Sequence, residues 1–303
     1  MLAVRTYPIG ILLMLLGGQV IGQGCRLLHP TQPVEKTLLA SRQLSRQAVA
    51  ALGQQQWDQA LAFSEQAVHT CPADLDARQV YAEALWAKGQ RQEALRQLEE
   101  VSRLASEDAA IPARMAEMQL AMGQIHLARQ YANRAIELNP QLPDAWVVRA
   151  RVAQQVGDFR SALADYHRAL SYAPNQPEVL LEIAEVYRAA NQPDRALATL
   201  HRLADTYSPG EEPPQIFYLQ GLAYLALNRP QDAVEALSLA IQRGGPSAEW
   251  LYQLAQAEAA TGRLRRAQQT LQHALALDPN HAPSRELFSQ LESVQPVQAL
   301  LPR

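Results

Sequence analysis

The side chains able to do chemistry are few and scattered. The 303 residues hold seven histidines and two cysteines. A metal or a general base would draw first on histidine. His167 and His201 stand 34 residues apart, a spacing that could bridge a metal only with further ligands beside it. No second histidine pair or carboxylate cluster accompanies them, so they read as solvated histidines on an outer face. Acid–base catalysis needs two carboxyl groups across a cleft, but Glu99 with Glu100, and Glu211 with Glu212, are chain neighbours that point apart on a helix or lie on a loop. The glycine-rich phosphate loops G-x-x-x-x-G-K and G-x-G-x-x-G, the zinc helix H-E-x-x-H and the nucleophile turn G-x-S-x-G are all missing from the sequence. The expectation is a protein with no catalytic residues, no metal and no cofactor.

Composition points to what must position the remaining side chains. Ala, Leu, Gln, Arg and Glu dominate, and all are good helix formers. With 48% hydrophobic residues, 19% charged and a net charge of −3, the chain is neither disordered nor polyionic. It lacks the basic footprint of a nucleic-acid binder. The class is all-α.

The first 25 residues stand apart. Arg5 precedes the 13-residue apolar run IGILLMLLGGQVI (9–21), which GQGC follows. Thirteen residues are too few for a comfortable membrane span of about 20 but suit a secretory signal. Residues 1–24 are therefore read as a signal peptide. The stretch resembles a bacterial lipoprotein signal, which implies acylation of Cys25 as the first mature residue. Gly24 fits that pattern, while Gly22 stands where Leu, Val or Ile is usual. If Cys25 carries lipid, Cys71 is a lone thiol in an inter-repeat turn. Otherwise a Cys25–Cys71 disulfide is open to the chain in an oxidising compartment.

Beyond residue 40 the chain repeats itself. NRPQDAVEAL (228–237) echoes NQPDRALATL (191–200), and stretches in the same phase begin at 55, 89, 123, 157 and 262. The steps are 34 residues, except for one of 37, which places a three-residue insertion at 211–213. Each start carries Gly or Asn, residues that tolerate a left-handed turn, save Gln55 in the first. Five residues later stands Ala in all seven: Ala60, Ala94, Ala128, Ala162, Ala196, Ala233 and Ala267. A matching small residue precedes each turn, at Ala48, Ala82, Ala116, Ala150, Ala184, Gly221 and Ala255. Two helices of a hairpin approach closely only where bulk is absent, so this is the pattern of stacked helical hairpins.

These residues resemble the tetratricopeptide repeat. The resemblance covers seven units, at 41–74, 75–108, 109–142, 143–176, 177–210, 214–247 and 248–281. It implies a right-handed α-solenoid with terminal capping helices. Residues 25–40 would be a tether and the start of an N-terminal cap. Residues 282–303 would form a C-terminal capping helix and tail, with Leu287, Phe288 and Leu291 covering the last repeat's open edge.

The resemblance also implies that the first helix of each unit lines a concave groove binding extended peptides or partner helices. The groove positions carried over are Glu83, Trp86, Glu117, Arg151, Glu185, Arg188, Tyr218, Leu222 and Tyr252. The middle is acidic to mixed, and the last two repeats are more apolar and bear tyrosines, good anchors for a partner. The Asn and Lys clamp of chaperone-binding members is missing. The expected function is a non-enzymatic scaffold for envelope proteins or peptides, periplasmic or lipid-anchored at the outer membrane of a Gram-negative-type bacterium. The alternative is a pilotin-like lipoprotein that helps build a pilus or secretion channel.

Overall fold

The computed structural model describes residues 31–174 and 176–298. The signal segment and Cys25 lie outside the described residues. Among these the chain forms fifteen α-helices and no strand. They run α1 (Thr31–Gly53), α2 (Trp57–Thr70), α3 (Leu75–Ala87), α4 (Arg91–Leu104), α5 (Ala110–Ala121), α6 (Ile125–Leu138), α7 (Pro143–Gln155), α8 (Phe159–Tyr172), α9 (Pro177–Ala189), α10 (Pro193–Ala204), α11 (Pro214–Ala226), α12 (Pro230–Gly244), α13 (Ala248–Ala260), α14 (Leu264–Leu277) and α15 (Ala282–Gln298). Odd-numbered helices up to α13 open a hairpin, and even-numbered ones close it. Among the described residues no helix is long and apolar enough to cross a membrane.

One device closes all seven hairpins. Gly89, Gly123, Gly157 and Gly262 take φ between 74° and 80°, and Asn191, Asn228 and Gln55 take φ of 54°, 55° and 58°. Gln55 thus adopts the left-handed conformation as well, at the steric cost its Cβ carries there. The residue after each turn donates its N–H to the carbonyl five residues back, for example Gln90 to Leu85 at 2.9 Å and Arg229 to Tyr224 at 2.9 Å. That bond satisfies a carbonyl the helix end would otherwise leave orphaned. Pro193 and Pro230 occupy the first turn of α10 and α12, where the missing N–H is no loss. Asp74, Asp158 and Ser247 cap α3, α8 and α13 by accepting a backbone N–H.

The small residues meet where the helices touch. Ala60, Ala94, Ala128, Ala162, Ala233 and Ala267 are completely buried, as are Ala48, Ala82, Ala116, Ala150 and Ala255. In the sixth hairpin the contact is closer still. A Cβ on Gly221 would lie 2.4 Å from Cγ of Leu237, so Leu237 fills the space that alanine occupies elsewhere. Between these contacts large side chains join repeat to repeat. Tyr166, Leu180, Ile183, Leu200 and Ile216, from α8 to α11, belong to one buried cluster. Each such aliphatic side chain contributes about 1.5–3 kcal/mol by leaving water. The insertion lies in the connection between α10 and α11, where Arg243 pairs with Glu212 at 2.6 Å and covers the Phe217 ring at 4.6 Å. At the C-terminal edge Leu287, Phe288 and Leu291 of α15 pack on Ala255, Leu264 and Leu271.

Candidate functional site

Opening helices of successive repeats lie side by side, and charged side chains bridge them. Arg114 on α5 donates to both carboxylate oxygens of Glu83 on α3 at 2.6–2.7 Å, and to Glu117 on its own helix at 2.6 Å. Burial works against the Arg114 charge, but the hydrogen bonds and attraction of Glu83 and Glu117 outweigh it and hold the guanidinium protonated beyond its usual range. One step on, Nε of Arg151 on α7 reaches both oxygens of Glu182 on α9 at 2.9 and 3.0 Å. Its pKa too is raised against burial, by Glu182 first.

Glu182 also accepts the phenol proton of Tyr166, which rises from α8 beneath the opening helices. The Gln154 amide terminus lies 3.0 Å from the same hydroxyl. Tyr166 is completely buried. Burial and the adjacent Glu182 push its phenol well above the ordinary range. These bridges are polar rungs between repeats, in which acid and base neutralise each other.

Farther along, three opening helices line an open depression of about 560 Å³. Helix α9 supplies Glu185 and Arg188, α11 supplies Tyr218, Leu219, Leu222 and Ala226, and α13 supplies Glu249 and Gln253. The Tyr218 ring stacks on Trp250 of α13, with centroids 5.0 Å apart and planes 13° from parallel. The stack ties the pocket's aromatic wall to two helices at once.

Of the nine groove residues expected from sequence, Glu185, Arg188, Tyr218 and Leu222 therefore meet in one pocket. Glu83, Glu117 and Arg151 sit in the rungs. Trp86 packs beside the second hairpin's core, with the Arg91 guanidinium 5.5 Å from its ring centre. Tyr252 turns toward the C-terminal cap. Its hydroxyl accepts from Gln256 at 2.8 Å and its ring meets His281 edge-on at 5.8 Å. Sequence reading missed Arg114, Glu182, Tyr166, Glu249, Gln253 and Trp250. Two of these carried a signal: Glu83 with Arg114, and Arg151 with Glu182, are opposite charges 31 residues apart.

One side-chain chain outside the pocket has the order of a catalytic triad. His281 touches Ser284 through Nδ1 at 2.8 Å and Glu249 through Nε2 at 3.3 Å, a serine–histidine–acid chain. Ser284 is completely buried at the start of α15, however, so its oxygen meets no substrate. His167 and His201 are both exposed. Nε2 of His167 lies 3.4 Å from the Tyr187 hydroxyl. Among the described residues no group of three or more His, Cys, Asp or Glu side chains could hold a metal ion. Cys71 is free and half-buried at the end of α2.

Comparison with known proteins places this geometry in context. Family models described as tetratricopeptide repeat match residues 51–111, 113–142, 153–209 and 224–291. Tetratricopeptide repeat protein 16 of Mus musculus is 28% identical over 165 residues, covering 53% of this chain and only 22% of the mouse protein. Among solved structures, a tetratricopeptide repeat protein of Parabacteroides merdae matches with TM-score 0.59 at 15% identity, over 84% of this chain and 99% of its own. PilF of Pseudomonas aeruginosa matches with TM-score 0.60 at 16% identity, over 71% and 96%. YrrB, described as having an unusual peptide-binding site, matches with TM-score 0.54 at 16% identity, over 63% and 96%. At these identities the structural likeness is one of fold.

Proposed function

Because this chain belongs to the tetratricopeptide repeat family, a family of protein-interaction scaffolds, we propose that it is a non-enzymatic scaffold of a bacterial cell envelope that holds a peptide or partner-protein segment in its concave face. The observation that carries this reading is the pocket of about 560 Å³ built by α9, α11 and α13 together. Its lining sets Tyr218, Leu219, Leu222 and Ala226 beside Glu185, Arg188, Glu249 and Gln253, an apolar strip flanked by polar groups that can fix the orientation of a bound segment. YrrB, with the same fold, is described as having a peptide-binding site. The envelope location rests on the apolar run at 9–21 and on Cys25 behind it.

The test is cross-linking in cells of the full chain beside its Leu222→Asn variant, with helical content checked by circular dichroism. A partner lost in the variant at unchanged helicity supports the groove. A partner retained in both moves the interface elsewhere and favours the assembly-factor role. Labelled palmitate incorporated by the wild type and not by Cys25→Ser supports the anchor, and equal incorporation removes it.

A further inference from the structure

A solenoid holds together through the surfaces between neighbouring repeats, so its weakest junction decides where it parts. The large buried side chains of this array fall in separate groups. Leu85, Leu98, Ile111, Met115 and Met118 join α3, α4 and α5. Another group, with Tyr166, Leu180 and Ile183, runs from α7 to α11. Between the two lies the junction of the third and fourth repeats, where α5 and α6 meet α7. Its buried contacts are Ala113, Ala135 and Ala145 in one cluster and Ala116, Ala132 and Val148 in another. An alanine removes far less apolar surface from water than a leucine or methionine, so this junction gains little from burial.

Polar contacts do not make up the difference. The junctions on either side carry rungs, Arg114 to Glu83 and Arg151 to Glu182. The first junction is also built on alanines, Ala51, Ala60 and Ala84. There, however, Lys88 pairs with Asp58 at 2.6 Å and the buried Ser41 donates to Asp74 at 2.8 Å. Among the described residues no ion pair crosses from the third repeat to the fourth, and one side-chain hydrogen bond joins helices across that junction, from Arg149 to Asn133 at 3.1 Å. Arg149 gives its two shorter bonds to Asp165 within the fourth repeat. On the groove side, Glu117 of α5, held by Arg114 on its own helix, faces Asp144 of α7. Desolvation first, and then Glu117, push the Asp144 carboxyl above its ordinary range, against the pull of Arg151.

We propose that the junction between the third and fourth repeats is a joint that divides the array into two cooperative blocks, α1–α6 and α7–α15, which open separately. The N-terminal block is the shorter, three hairpins against four and a cap, and it opens first. The depression lies wholly in the C-terminal block, so α9, α11 and α13 stay packed when the joint parts. The Arg114 rung belongs to the other block. The concave face is then two surfaces whose mutual angle the joint sets.

Hydrogen exchange of the full chain at rising urea, followed by mass spectrometry, reads the opening of each helix. The expected result is two steps: peptides from α1–α6 lose protection together, and those from α7–α14 together at higher urea. A single step shared by all helices would overturn the proposal, as would a boundary at any other junction.

Two variants locate the joint. Leu98→Ala, within the N-terminal block, moves the first step to lower urea or abolishes protection there outright, and leaves the second in place. Val148→Ala also lowers the first step alone although Val148 stands on α7, because its buried neighbours Ala116 and Ala132 lie across the junction. An equal shift of both steps by either variant would overturn the joint. So would a Val148→Ala effect that is absent or confined to the second step.

Discussion

Removing Glu182 and the Tyr166 hydroxyl, singly and together, tests whether the rung between the fourth and fifth repeats holds the array. Tyr166 is completely buried and donates a hydrogen bond to Glu182, with Gln154 as second neighbour at 3.0 Å. Tyr166→Phe removes one hydrogen bond to a charged acceptor, about 1.5 kcal/mol or somewhat more. Glu182→Ala strips the phenol of that acceptor, at about 1–3 kcal/mol, and the nearby Gln154 puts the cost in the lower half of the range. The Arg151 side chain is 39% exposed and turns to water, adding less than about 1 kcal/mol. The double variant should therefore show a coupling of about 1.5 kcal/mol in urea denaturation followed by circular dichroism.

The same bond predicts a pH dependence. The folded phenol titrates above its unfolded value of about 10. Its contribution is complete below about pH 10 and is lost as pH rises, because only the unfolded phenol then releases its proton. Between about pH 9 and pH 11 the wild type should lose about 1.4 kcal/mol more than Tyr166→Phe. Additivity of the two substitutions within about 0.3 kcal/mol, with parallel pH profiles, would refute the argument.

Other perturbations test the remaining elements. Ala162 is completely buried at a hairpin contact, so Ala162→Leu should cost about 1–3 kcal/mol by overpacking, and an unchanged urea midpoint would break the hairpin register. Gln55 holds φ of 58°, so Gln55→Gly should raise stability by about 1 kcal/mol, and a loss would show that its side chain matters more than its backbone. Asn228 has the same conformation. Asn228→Gly should be neutral or better, and Asn228→Ala worse by about 1 kcal/mol, measured in the same denaturation. Arg114→Ala leaves Glu83 and Glu117 without their shared cation. It should destabilise by about 1 kcal/mol in low salt and less in high salt, and an equal loss at both would deny the charge argument.

What could be read from sequence follows from how short-ranged each cause is. The hairpins were legible because a contact that admits only alanine writes itself at the same place in every unit, and because a left-handed turn asks for Gly or Asn. Gln55 broke the residue rule but kept the conformation, since the carbonyl of Ala51 still needs the N–H of Gln56. The rungs were half legible. Glu83 and Arg151 stand at positions that the family resemblance assigns to the groove, but their partners Arg114 and Glu182 stand three residues before the matching position of the next unit, at a place given no role. Scanning for opposite charges at that offset would have found both pairs.

The pocket was out of reach for a different reason. Its walls come from three helices, and whether Glu185 and Glu249 face each other depends on how α11 sits between α9 and α13. The missing Cβ at Gly221 lets Leu237 of α12 lie directly against α11. With alanine at 221, Leu237 would be pushed aside or α11 would stand farther from α12. The single glycine in the small-residue series lies on α11, which supplies Tyr218, Leu219, Leu222 and Ala226 to the pocket, and the three-residue insertion lies in the connection just before that helix. A departure from the period is thus informative about the site. Here the repeat abandons its own rule just before and within the helix that supplies half of the pocket's lining residues.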